Sequence, residues 1–82
     1  MRLDKYLKVS RLIKRRAVAN TACDQSRVAV NGKPAKASYE VKPGDVIVIA
    51  FGQKSVGVEV LSTTESIHKQ DAASLYRALD EQ

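Results

Sequence analysis

Apolar residues change their period along this chain, and each change predicts a new kind of element. Leu3, Leu7 and the run from Val9 to Ile13 return every three to four positions, the spacing that buries one side of a short helix. The same stretch can be read as one helix or two. A continuous helix would align Lys8, Arg11 and Arg15 on one face, whereas Ser10 offers a break. A second helix is predicted over residues 15 to 24, where Ala17, Val18, Ala22 and Cys23 permit close approach to a neighbour. From Arg27 the period drops to two. "VAVNGKP" alternates Val28 and Val30 before Asn31-Gly32, a pair that tolerates the positive φ angles of a tight hairpin turn. Pro34 lacks an amide donor, so the piece after the turn is short or lies at a sheet edge. In "VKPGD", Pro43-Gly44 suits the centre of a type II turn and opens a strand "VIVIAF" at 46 to 51. A turn containing Gly52 and Lys54 leads to "VGVEVL" at 56 to 61. Residues 62 to 70 are poor in apolar side chains and read as a linker. Beyond them Ala72, Leu75, Tyr76 and Leu79 fit an amphipathic helix over 71 to 80.

The expected architecture is α+β: two N-terminal helices packed on a small, mostly antiparallel sheet, with a C-terminal helix. Residues 1–61 form the compact unit, and 62–82 the linker and the amphipathic helix. Eighty-two residues suffice for one small domain with a modest core. The 44% hydrophobic content argues against disorder, and no apolar run approaches the roughly 20 residues of a membrane span. Charges at Arg2, Asp4, Lys5, Lys8 and Arg11 interrupt any secretion-signal core, so cytoplasmic residence is expected.

Charge changes the picture most. The net charge is +5, but residues 1 to 16 alone hold seven basic groups against Asp4, and the remainder sums to −1. The candidate binding residues are therefore Arg2, Lys5, Lys8, Arg11, Lys14, Arg15 and Arg16. A block so concentrated creates a local field that attracts polyanions. A solvated helix face is the ordinary fate of such charges. Membrane contact would ask for large apolar groups opposite them, and the chain has no Trp. Phosphates gripped by forked Arg donors fit best. Stacking of loose single strands needs exposed aromatics, and only Tyr6, Tyr39, Phe51 and Tyr76 are available, three with packing roles. Structured RNA, recognised by shape and backbone, suits the composition better.

Catalysis is not expected. The acids are scattered; Asp45 follows a Pro-Gly turn where a carboxylate commonly accepts from nearby amides, and Asp4 suits a helix cap or a pair with Arg2 or Lys8. One Cys (Cys23) and one His (His68) make neither a disulfide nor a four-ligand zinc site. Gly32, Gly44, Gly52 and Gly57 form no phosphate loop, so no cofactor is expected.

"RLDKYLKVSRLIKRRAVA" followed by "RVAVNGKPAKASYEVKPGDVIVI" resembles the alpha-L RNA-binding domain first described in ribosomal protein S-four, over residues 2 to about 50. The individual motifs are common, but their joint order and spacing are specific. The domain is expected to stand here without the synthase or synthetase modules to which it is often attached. "MRLDKYLKVSRLIKRR", "KASYEVKPGD", "FGQKSV" and "AASLYRAL" extend the likeness nearly end to end, toward stand-alone members that act in bacterial ribosome-associated quality control and, next, toward the small heat-shock members. Arg15 departs from the domain, which often has a capping Ser there. The resemblance implies an RNA-binding adaptor, not an enzyme. Its partners would be large-subunit rRNA and peptidyl-tRNA, with the tailing factor RqcH on the same particle; it would act as a monomer, away from membranes. It also implies Arg2 and Arg16 as rRNA contacts. A heat-shock-type factor that moves the tRNA, or another rRNA- or tRNA-binding module, are the alternatives.

Overall fold

The computed structural model describes residues 1–63 and 75–79. Over these residues the chain runs α1 (Leu3–Val9), α2 (Arg16–Asp24), β1 (Val28–Val30), β2 (Lys33–Pro34), β3 (Val46–Phe51), β4 (Lys54–Val60) and β5 (Tyr76–Ala78). The strands make one antiparallel sheet in the order β2-β1-β3-β4-β5. The α+β class, the two helices and the antiparallel sheet are as the hydrophobic pattern predicts.

Among the described residues the helices are two, and each ends the same way. Arg11 takes φ +65° and its amide donates to the Lys8 carbonyl at 3.0 Å; Ser26 takes φ +58° and its amide donates to the Cys23 carbonyl at 3.0 Å. Both residues occupy the left-handed position that commonly closes a helix. The break at Ser10–Arg11 means that Lys8, Arg11 and Arg15 do not share one continuous helical face.

The turn pairs behave as their chemistry requires. Asn31 and Gly32 have φ of +53° and +85°, and Val30 pairs with Lys33 across them, which is the backbone of a type I′ hairpin. Gly44 has φ +94°, and the Asp45 amide donates to the Lys42 carbonyl at 3.1 Å, closing a type II turn. The Asp45 carboxylate ties the two turns together, accepting from the Lys42 amide (3.0 Å), Asn31 Nδ2 (3.1 Å) and the Tyr39 hydroxyl (3.0 Å). Burial raises the Asp45 carboxyl, but these donors and the Lys42 charge outweigh it and leave it below its ordinary value.

Ile47, Ile49, Val58 and Val60 alternate onto the covered face of the sheet and join Val28, Val30, Leu3, Tyr6 and Leu7 in the core. Cys23 is buried in the same cluster, and burial, with the charges of Asp4 and Asp24, pushes its thiol up to about 11. On α2 the buried residues are Ala19 and Cys23; Ala17 and Val18 are exposed, so they do not serve the close helix packing read from their size.

Tyr76–Ala78 form a strand where the periodicity predicts helix; the rest of the expected helix, 71–74 and 80, lies outside the described residues, as do 64–70 of the linker. Without Tyr76–Ala78, β4 would present an unpaired edge. Tyr76, Arg77 and Ala78 pair with Val60, Glu59 and Val58, and the Leu79 amide donates to the Gly57 carbonyl at 2.9 Å. The buried Tyr6 hydroxyl donates to the Leu75 carbonyl at 2.6 Å and fastens this segment to α1.

Candidate nucleic-acid interface

The chain's first residues are extended and run beside a later segment. The Leu3 amide donates to the Tyr39 carbonyl (2.8 Å), the Asp4 amide to the Ala37 carbonyl (3.2 Å) and the Val41 amide to the Met1 carbonyl (2.9 Å), with a bridge between Arg2 and Glu40. This pairing fixes Arg2 where α1 begins. Arg16 opens α2, and Asn20 lies one turn further along the same helical face.

Asp4 joins them. Its side chain is 3% exposed, whereas those of Arg2 and Arg16 are each 49% exposed. Arg2 Nε lies 3.3 Å from Oδ1 and its Nη2 3.5 Å from Oδ2. Arg16 Nε lies 3.3 Å from Oδ2 and its Nη2 3.4 Å from Oδ1. Asn20 Nδ2 donates to Oδ2 at 3.4 Å and the Lys5 amide to Oδ1 at 2.8 Å. One buried carboxylate thus holds two guanidinium groups, from separate elements, side by side at the surface.

Burial alone would raise the Asp4 carboxyl. Hydrogen bonds from Arg16, Asn20, Arg2 and the Lys5 amide outweigh that cost and hold it below its ordinary value of 3.8. The carboxylate therefore stays charged at neutral pH. The Asp4 contacts run through Nε and Nη2 of each arginine, and both side chains remain half-exposed. Planar forks with spare donors are suited to phosphate oxygens, and the pair outweighs its one anchoring anion.

The other candidates lie along α1 and in the stretch between α1 and α2. Lys8 is exposed in the last turn of α1, Arg11 is exposed in the left-handed residue after it, and Lys14 and Arg15 are exposed on the approach to α2. Lys5 is half-buried. Arg15 is the residue before α2 and makes no side-chain cap, in keeping with its departure from a capping Ser. Of the pairings expected for Asp4, the one with Arg2 is present; Arg16 takes the other side, where Lys8 was the alternative. Asn20 is the residue that the sequence reading missed. Its signal is the four-residue spacing from Arg16.

The S4 domain model matches residues 1–47 of the chain. The chain belongs to the S4 domain family. Its S4 domain has full-length relatives named "RQC P-site tRNA stabilizing factor". The one from Halalkalibacterium halodurans is 54% identical over 82 residues, covering 100% of this chain and 93% of the relative. The one from Bacillus subtilis is 52% identical, covering 100% of this chain and 95% of the relative. Among solved structures, the trimeric heat shock protein 15 of Vibrio cholerae superposes on this S4 domain with a TM-score of 0.86 at 29% identity, over 96% of this chain and 81% of the other. The likeness to the quality-control members, the RqcP group, and to the heat-shock members of the S4 family is thereby established from both directions.

Proposed function

We propose that this S4 domain binds large ribosomal subunits that still carry peptidyl-tRNA, holds the tRNA in the P site, and so supports RqcH-dependent alanine tailing of stalled chains. The observation that carries the reading is the Arg2–Asp4–Arg16 unit, in a chain about half identical from end to end to factors named for stabilising P-site tRNA in ribosome quality control. Arg2 and Arg16 grip RNA backbone through their outward donors. Lys5, Lys8, Arg11, Lys14 and Arg15 add a cationic surround that holds a second RNA, so that rRNA on one side and tRNA on the other are tied together.

The role is one of position, not reaction. A bound tRNA leaves more slowly, and RqcH meets a correctly seated peptidyl-tRNA for longer. In this reading the protein is an adaptor without catalytic groups, acts as a monomer, and works in the cytoplasm where the ribosome is. Likeness to heat shock protein 15 favours a second reading, in which the same surface takes up tRNA on the same particle to rescue it without tailing. Reconstituted tailing on obstructed large subunits decides between them: adding the protein raises the yield of alanine tails under the first reading and leaves it unchanged under the second.

A further inference from the structure

The buried carboxylate of Asp45 stands apart from the Asp4 network, yet a run of bonds connects the two. Its backbone is pinned to the sheet, because the Val60 amide donates to the Asp45 carbonyl at 2.8 Å and the Gly44 amide to the Val60 carbonyl at 2.8 Å. From that fixed base Oδ2 accepts the Tyr39 hydroxyl at 3.0 Å. The Tyr39 carbonyl in turn accepts the Leu3 amide at 2.8 Å, with the Ala37–Asp4 and Val41–Met1 bonds on either side. The bonds thus lead from β4 through Asp45 and Tyr39 to the start of α1, and they end beside Arg2. Ala37 and Val41 also bury their side chains in the core and keep this segment down. Apolar burial is non-directional, so it leaves the segment free to slide. A hydrogen bond to a charged acceptor fixes where it sits.

We propose that Asp45, acting through the Tyr39 hydroxyl, is a positioning residue for the RNA contact of Arg2. It locks residues 37–41 to the sheet, and those residues hold the extended start of the chain that carries the guanidinium. This role rests on the function proposed above, in which Arg2 grips RNA backbone, and it adds a second support to that grip. Asp4 orients the Arg2 side chain, whereas Asp45 sets the backbone from which that side chain projects. A forked contact to phosphate depends on both, since a small shift of the backbone misaligns every donor on the fork.

A double-mutant cycle tests it, read as affinity for obstructed large subunits carrying peptidyl-tRNA. Tyr39→Phe keeps the ring and removes only the hydroxyl, so the protein should stay folded by circular dichroism. It should weaken binding by at least about twofold, the lower end of couplings within one hydrogen-bond network. In an Arg2→Ala background the same change should have no further effect, because the contact it positions is gone. In a Lys14→Ala background, with an exposed cation outside the run of bonds, its effect should persist in full. Amide exchange at Leu3 and Asp4 should rise in Tyr39→Phe, while that of Ile13, bonded to the Leu7 carbonyl within the helical region, should not. Asp45→Asn, if folded, should repeat the dependence on Arg2. Tyr39→Phe binding equal to wild type, or a loss that multiplies with that of Arg2→Ala, overturns the positioning role and leaves the arginine pair standing. Wild-type protein that does not bind these subunits, or Arg2→Ala protein that binds them as tightly as wild type, overturns the RNA grip itself and the positioning role with it.

Discussion

Replacing Asp4 with Asn removes one negative charge from a basic surface, and simple charge counting then predicts a more stable fold and tighter RNA binding. The geometry predicts the opposite. The carboxylate accepts from Arg2, Arg16, Asn20 and the Lys5 amide, and an amide would keep one acceptor and aim a donor at groups that are themselves donors. Hydrogen bonds to a buried charged group contribute about 1.5–3 kcal/mol each. The arginines are half-exposed and turn to water when released, so their share is discounted to the scale of exposed ion pairs, below about 1 kcal/mol each. The expected loss is about 2 kcal/mol, carried mainly by the Lys5 amide and Asn20 contacts. Because the folded carboxyl lies below 3.8, its contribution is full above that value and disappears as pH falls through the lower folded value. Urea unfolding of both proteins should therefore show a gap at neutral pH that narrows in acid. RNA affinity should fall as well, since the guanidinium pair is no longer held. Equal stability at neutral pH, or a gap that does not change with pH, refutes the assigned role of Asp4.

Other expectations follow from single features. Gly44→Val should cost more than about 1 kcal/mol although a Cβ there meets nothing within 4 Å, because φ of +94° alone is unfavourable for it; thermal melting checks this. Gly57→Ala, without that angle and at ordinary contact with Leu79 and Val48, should change stability by no more than about 1 kcal/mol, and in the favourable direction. Tyr6→Phe should lose about 1 kcal/mol and raise amide exchange at Leu61 and Ser62, whose amides share the Leu75 carbonyl with the Tyr6 hydroxyl. Arg11→Gly should relieve the left-handed backbone and raise the unfolding midpoint while weakening RNA binding, a split that melting and salt-titrated binding together would show.

Local chemistry made most of the fold legible. Asn31-Gly32 and Pro43-Gly44 suit turns whose φ values few residues accept, so they marked two turns, and alternation marked strands at Val28–Val30 and in 56–61; residues 46–51 are apolar throughout, and only the structure shows Ile47 and Ile49 on the covered face. Tyr76–Ala78 escaped because leucines at 75 and 79 satisfy a helical period. What decides their structure is the open edge of β4, a tertiary fact that no local pattern carries. The left-handed residues that close the helices escaped for a related reason: Arg11 and Ser26 are not residues whose side chains announce such a backbone, although the break at Ser10 and the end of the second helix at 24 were legible. At the site, the basic block and the two key arginines were visible, but the anchor was only partly so. Asp4 reads as a local partner of its neighbours, and its contact with Arg16 and Asn20 exists only after α2 folds back across α1.

The central claim is that the arginine pair grips RNA backbone so that the protein keeps tRNA on the large subunit, and the dissociation rate of labelled peptidyl-tRNA from obstructed subunits tests it most directly. Arg16→Ala removes one fork while leaving Asp4 bonded to Arg2, Asn20 and the Lys5 amide, so the protein should remain folded by circular dichroism. Wild-type protein should slow tRNA release, and Arg16→Ala, though folded, should slow it several-fold less. Release unaffected by the wild-type protein, or slowed equally by both, would contradict the account.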